Sequence, residues 1–330
     1  MSVPSVIKKG AGLKSLPLIV TAGLFLVVFG IGAARYPAFG SGQVIIDLFI
    51  DNGFLLVTAI GMTFVIISGG IDLSVGSVVA LSAMECAWLT GPLGWPAFAA
   101  IPVAIATGAL LGLAMGYAIH AFEIQPFIAT LAGMFLARGL SFVISIEQIP
   151  IKNPVFADWA QTPIPIFGDM FLKPTVLLVW LVFGVAVWVL HYSRFGRTLY
   201  AIGGNEHSAL LMGLPVARAK IGAYVVSGVC SSIGGVLFAV YTLSGSGVQA
   251  VGMELDAIAA VVIGGTLLTG GSGYVVGTLL GVMLLGTVQT LIRFDGTLSS
   301  WWMRIFIGVL LFIFIVLQRT AGSRVLKRSS

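Results

Sequence analysis

Apolar stretches long enough to cross a bilayer recur from one end of this chain to the other. A helix rises about 1.5 Å per residue, so about 20 apolar residues span the hydrocarbon layer. Such stretches fall at about 16–34, 52–68, 73–89, 97–119, 126–145, 174–192, 219–242, 255–269, 274–292 and 301–318. A soluble domain carries roughly a quarter charged residues to meet water. Here 9% of residues are charged and 58% hydrophobic, so lipid is the solvent for most of the surface. Backbone amides in lipid must be satisfied within the segment, which leaves helices as the form for such runs. The expectation is an all-α membrane protein, a polytopic bundle of about ten transmembrane helices.

Basic residues orient the bundle. With the N-terminus in the cytoplasm, eleven basic residues (Lys8, Lys9, Lys14, Arg194, Arg197, Arg218, Lys220, Arg319, Arg324, Lys327 and Arg328) lie inside, and five (Arg35, Lys152, Lys173, Arg293 and Arg304) lie outside. That asymmetry follows the positive-inside rule and puts both basic termini in the cytoplasm. The run from Leu16 to Ala34 exceeds a signal-peptide core and reads as a retained first span. The domain reading is a cytoplasmic tail (1–15), one transmembrane domain (16–318) and a basic cytoplasmic tail (319–330). Residues 53–90 are long for one helix and short for two. Gly69-Gly70-Ile71-Asp72 interrupts them, and two segments are expected. Residues 146–173, with four prolines, read as an irregular outer loop. Residues 193–220 form the largest cytoplasmic loop. GGIDLSVGS (69–77) faintly repeats in GGSGYVVGT (270–278), as in transporters built from repeats.

Several chemistries are excluded. No G-x-x-x-x-G-K-[ST] segment exists to cradle a nucleotide phosphate. The three histidines, His120, His191 and His207, lie far apart, so no metal site is expected. Cys86 and Cys230 sit inside apolar runs and read as buried small hydrophobes. No catalytic residue is expected, and nothing points to nucleic acid.

Polar and charged side chains inside or beside the spans are candidates for a translocation path, because burying them in lipid is costly. They are Asp72, Ser74, Glu85, Arg138, Gln249, Asp256 and Gln289. Asp72 can equally cap the helix that follows it, and Glu85 and Arg138 can equally pair between helices. Gly108-x-x-x-Gly112-x-x-x-Gly116 and Gly277-x-x-x-Gly281 place small residues on one helix face, for close packing within the subunit or between subunits. In the loop, Asn205 can cap a short helix, Glu206–Gly213, that stops before Pro215. Such a helix suits either a surface role or the receipt of force from a soluble motor.

Three segments carry a resemblance. ISGGIDLSVGS (67–77), RFGRTLYAIGGNEHSALLMGL (194–214) and LDAIAAVVIGGTLLTGGSGYVVGT (255–278) resemble the ribose/galactose-type permeases of ABC sugar importers, in family order and across nearly the whole chain. FDGTLSSWW (294–302) and GGNEHSALLMG (203–213) resemble the permease subunit of galactofuranose importers in particular. The resemblance implies a multi-pass protein of the bacterial inner membrane that moves a monosaccharide by alternating access. It implies a cytoplasmic ABC ATPase, a periplasmic sugar-binding protein and a second permease chain, giving a heterodimer within membrane lipid. The ATPase would hold ATP and Mg, and this chain would carry no cofactor. By the same resemblance Asn205, Glu206, His207, Ser208, Ala209, Leu210, Leu211, Met212 and Gly213 are the coupling helix. Gly69, Gly70 and Gly76 belong to the first interrupted segment, and Gly270, Gly271, Gly273 and Gly277 to the later glycine motif. Two rival readings are an ion-driven secondary sugar transporter and, from another class, a membrane enzyme acting on a lipid-linked substrate.

Overall fold

The computed structural model describes residues 16–297 and 301–326, so the N-terminal tail and the last four residues of the basic C-terminal tail lie outside the described residues. Thirteen α-helices follow one another among the described residues: α1 (Leu16–Arg35), α2 (Gly42–Ile67), α3 (Val75–Thr90), α4 (Ala97–Ala121), α5 (Pro126–Ile144), α6 (Pro154–Gln161), α7 (Pro174–Tyr192), α8 (Arg194–Gly204), α9 (Glu206–Leu211), α10 (Val216–Thr242), α11 (Met253–Ile263), α12 (Val275–Asp295) and α13 (Trp301–Leu326). Among those residues, seven helices (α1, α2, α4, α5, α7, α10 and α12) are long and apolar enough to cross a membrane. The fold is therefore all-α and polytopic.

Helices α2 and α10 are the buried centre, and glycine sets how closely the others approach them. The stripe Gly108, Gly112 and Gly116 on α4 lies on the backbone of α10. A Cβ added at Gly112 would come within 2.9 Å of the Tyr224 carbonyl carbon, and one at Gly116 within 3.0 Å of Ile221 Cα. Gly61 on α2 meets α10 in the same way, 2.9 Å from Ser227 Cα. Gly281 on α12 faces Ala260 of α11. Both glycine stripes thus pack within this one subunit.

The expected segments appear with two differences. The second helix begins at Gly42, ten residues earlier than its most apolar part. The segment expected at 255–269 is only eleven residues of helix, Met253–Ile263. At about 1.5 Å per residue this is about 16 Å, half of what a bilayer requires. The chain that precedes this helix is a two-residue strand, Ser244–Gly245, followed by turns. Residues 243–252 run beside α3, from Gly245 against Met84 and Ala87 to Ala250 against Gly76. Backbone of this kind is tolerated at membrane depth where protein buries it.

Two halves of the chain share one arrangement. Helix α3 packs on α4 and α5 as α11 packs on α12 and α13, and α4 lies against α10 as α12 lies against α2. Gly70-Ile71-Asp72-Leu73-Ser74 leads into α3, and Gly252-Met253-Glu254-Leu255-Asp256 opens α11. These are the corresponding segments. The resemblance between 69–77 and 270–278 instead brings together two neighbours, as the site below shows.

The proline-rich loop at 146–173 is more ordered than its composition suggests. Asn153 caps α6, accepting from Val155 N, and Pro154 occupies the first turn, where no donor is needed. Strands β2 (Ile164–Phe167) and β3 (Met170–Leu172) form an antiparallel hairpin, and Gln43 exchanges two hydrogen bonds with the backbone of Phe171, 3.1 and 3.0 Å. Strand β1 (Ile149–Pro150) pairs with β4 (Ser244–Gly245), and Phe156 is buried beneath. The bundle therefore has a hairpin end, carrying this loop, and a helix-pair end, carrying α8 and α9.

Candidate functional site

At the helix-pair end three glycine pairs converge. Helix α2 stops at Ile67, and Gly69 turns the chain with φ +85°. The chain after α11 turns at Gly270 and Gly271, with φ +85° and +72°. The last carbonyls of a helix lack internal partners. That of Ile67 is satisfied from the other break, by Gly271 N–H at 2.9 Å. The third pair is Gly203-Gly204, the last turn of α8. A Cβ at Gly203 would collide with the Ile67 carbonyl and the Gly271 amide. One at Gly270 would lie 2.9 Å from Gly69 N and 3.0 Å from Gly203 Cα. The Tyr200 hydroxyl on α8 donates to the Gly273 carbonyl at 2.6 Å. Burial pushes the Tyr200 phenol up, so it stays a donor. Gly277 continues the same packing, its backbone lying against Gly264 at the end of α11.

Helix α9 leaves this junction at once. Asn205 Oδ1 accepts from Ser208 N at 2.8 Å, the expected cap. Ala209 is buried and holds the helix down, while Glu206 pairs with Lys220 at 2.9 Å. His207 lies on the exposed side, and Gly213 ends the turn with φ +73°. Leu210, Leu211 and Met212 are 58, 74 and 67% exposed.

Asp72 organises the first break. Oδ1 accepts from Ser74 N at 2.9 Å and Ser74 Oγ at 2.6 Å, and Oδ2 accepts from Ser227 Oγ on α10 at 2.7 Å. Asp72 and Ser74 are buried. Gly70 leaves room for the Tyr224 hydroxyl, and Gly76 for Ala250 and for Glu254 in the first turn of α11. Arg138 on α5 fastens the chain before α11, Nη1 donating to Gly247 O at 2.6 Å and Gln249 O at 2.7 Å. Gln249 braces it from within, accepting from Ser246 N at 3.0 Å and donating to Ser244 Oγ at 3.2 Å. Glu85 stands apart on α3, with Oε2 buried and without a hydrogen-bond partner among the described residues.

Asp256 and Gln289 come together. They line a cavity of about 380 Å³ in the hairpin-end half, with Asn52, Arg293, Trp301, Arg304 and apolar neighbours. Arg293 is paired with Asp51 at 2.8 Å. Asp256 and Arg304 are then the two remaining charges of the lining, opposite in sign. The lining offers amide, carboxylate and guanidinium partners beside an indole, a combination that suits a neutral polyhydroxyl ligand. No group of His, Cys, Asp and Glu among the described residues could hold a metal ion.

Residues 44–315 match the family described as branched-chain amino acid transport system / permease component. The chain belongs to this permease family. It is similar to the inner membrane ABC transporter permease protein YjfF of Escherichia coli K12, 46% identical over 306 residues, 93% of this chain and 92% of that one. It is similar to the fructose import permease protein FruG of Bifidobacterium longum, 37% identical over 320 residues, 94% of each chain. It also resembles the ribose import permease protein RbsC of Escherichia coli K12, 35% identical over 297 residues, 88% of this chain and 90% of that one. No solved structure matches. The permease is thus a multi-pass inner-membrane transport component and not an enzyme.

No role for Asn52, Tyr200 or Trp301 was read from the sequence, and Arg304 entered only as an outer basic residue. Asn52 carried a usable signal, an amide inside an otherwise apolar run. Tyr200 carried none, because its partner Gly273 is 73 residues away.

Proposed function

We propose that this permease is the membrane subunit of an ATP-driven importer of a monosaccharide, and that the sugar is galactofuranose. The observation that carries the reading is the apolar tip of α9. Leu210, Leu211 and Met212 are mostly exposed on a short capped helix, at the end where the basic loop residues predict cytoplasm. An exposed apolar patch of this kind marks a protein partner. That partner is a cytoplasmic ABC ATPase, which holds ATP and Mg, while this chain binds no cofactor.

The relatives named for ribose and fructose import support a sugar as cargo. Galactofuranose rests on the resemblance of residues 203–213 and 294–302. It also implies a second, different permease chain, a heterodimer. A periplasmic binding protein delivers the sugar to the hairpin end. The sugar path begins at the cavity that holds Asp256 and Gln289, whose size falls within the roughly 300–1,000 Å³ of small-molecule sites. It continues past Asp72 and Ser74 at the first break and past Arg138 and Gln249, which hold residues 244–249, with Glu85 beside it on α3. With the eighth crossing made of the turns at 243–252 and the half-helix α11, residues 16–318 form one domain of ten crossings with both termini cytoplasmic. ATP closes the motor, and the path changes its opening because the ligands prefer different states.

Replacing Glu206–Met212 with a Gly/Ser segment tests the coupling role. The expected result is a chain that inserts but no longer supports ATP-dependent uptake. Normal uptake would sink the role.

A further inference from the structure

The convergence of three glycine pairs has a mechanical meaning that neither the motifs nor the relatives supply. Helices α2 and α3 belong to one structural half, and α11 and α12 to the other. Each half is interrupted, at 68–74 and at 264–274, on the same side of the bundle. The two breaks are joined directly by Gly271 N–H on Ile67 O, 2.9 Å. Helix α8 is wedged against both. Gly203 lies on Ile67 and Gly271 with no room for a Cβ, and Tyr200 holds the second break through Gly273 O at 2.6 Å. One residue, Asn205, separates α8 from α9.

We propose that Tyr200 and Gly203 are positioning residues that lock α8 onto both breaks, so that displacement of α9 moves the two halves of the bundle as one event. This rests on the importer reading above. Close backbone contact transmits displacement, because a packed interface deforms little before it shifts as a whole. The hydroxyl of Tyr200 fixes the direction of that contact, since a ring without it would still fill the space but could slide along Gly273.

The test uses the complete importer in proteoliposomes, this chain with its ATPase, binding protein and second permease. Three readouts are taken: basal ATP hydrolysis, its stimulation by sugar-loaded binding protein, and sugar uptake. Tyr200→Phe keeps the ring and removes one buried hydrogen bond, worth a factor of about two to ten in the coupled step. Assembly, melting temperature and basal hydrolysis should match the parent, while stimulation and uptake fall together by about that factor. Gly203→Ala should insert and bind the ATPase yet lose most uptake. Gly204→Ala, at a position where a Cβ meets nothing within 4 Å, is the control and should transport normally. A merely structural role for Tyr200 would lower yield or melting temperature without touching the stimulation ratio. Wild-type stimulation and uptake in Tyr200→Phe overturns the proposal and leaves the importer reading intact. Absence of ATP-dependent uptake in the parent complex overturns the importer reading itself.

Discussion

Replacing Gly112 by alanine should drive α4 and α10 apart. The added Cβ would lie 2.9 Å from the Tyr224 carbonyl carbon and 3.1 Å from Val225 Cα, both backbone atoms that no rotamer change can move. Ordinary carbon contacts sit near 3.5–4.0 Å, so the helices must separate by about half an ångström or more. Gly108 and Gly116 keep the same close approach one turn to either side, so a local shift is felt along the whole stripe. A gap of that size forfeits about a quarter to a half of each contact's dispersion energy, and overpacking of this kind costs about 1–3 kcal/mol. Alanine also gains up to about 1 kcal/mol in helix propensity over glycine. Gly184→Ala on α7 isolates that gain, because a Cβ there meets nothing within 4 Å. The two variants should therefore differ by the full packing cost. At about 2–4 °C per kcal/mol, Gly112→Ala melts several degrees below Gly184→Ala in detergent. Equal melting temperatures would refute the claim that glycine sets this interface.

Three further outcomes follow from the site. Asp72→Ala removes the acceptor of three hydrogen bonds and should destabilise the chain by about 2–5 kcal/mol, whereas Asp72→Asn, which retains one acceptor oxygen, costs less in the same unfolding titration. Arg138→Met frees Gly247 O and Gln249 O and should speed hydrogen exchange across 244–252 while leaving α10 protected; unchanged exchange there would remove Arg138 from its fastening role. Gln289→Ala should raise the sugar concentration needed for half-maximal uptake by about two- to tenfold, with basal ATP hydrolysis unaltered, as expected for a lost neutral hydrogen bond to sugar.

Hydrophobic length made most of the bundle legible, because lipid demands uncharged runs of one span and forbids open backbone. The break at Gly69-Gly70 was legible as well, since consecutive glycines cannot continue a helix cheaply, but Asp72 does not cap α3: the cap position is Ser74, and Asp72 binds Ser74 instead. The shortness of α11 was not legible. Hydropathy reports apolar runs, and LDAIAAVVIGG is apolar whether it spans the layer or stops halfway. The turns through 243–252 are fixed by contacts with α3 and Arg138, which no local period records. The proline-rich loop at 146–173 misled in the opposite sense. Its prolines excluded long helices and broad sheets, yet Pro154 fits the first turn of α6, and Pro165 stands in the two-stranded β2–β3 hairpin, where an edge strand tolerates a missing donor. Asp256 and Gln289 were identifiable as costly residues in apolar runs. Their meeting in one cavity with Asn52 and Trp301 depends on how α2, α11, α12 and α13 pack.

The most direct test of the account is uptake of labelled sugars into vesicles that carry this permease with its candidate ATPase, binding protein and second permease chain. Galactofuranose and ribose are compared with a branched-chain amino acid, with and without ATP. Uptake of galactofuranose that requires ATP and every partner is the predicted result. Uptake by this chain alone, driven by an ion gradient, would contradict the importer reading and leave only the membrane architecture standing.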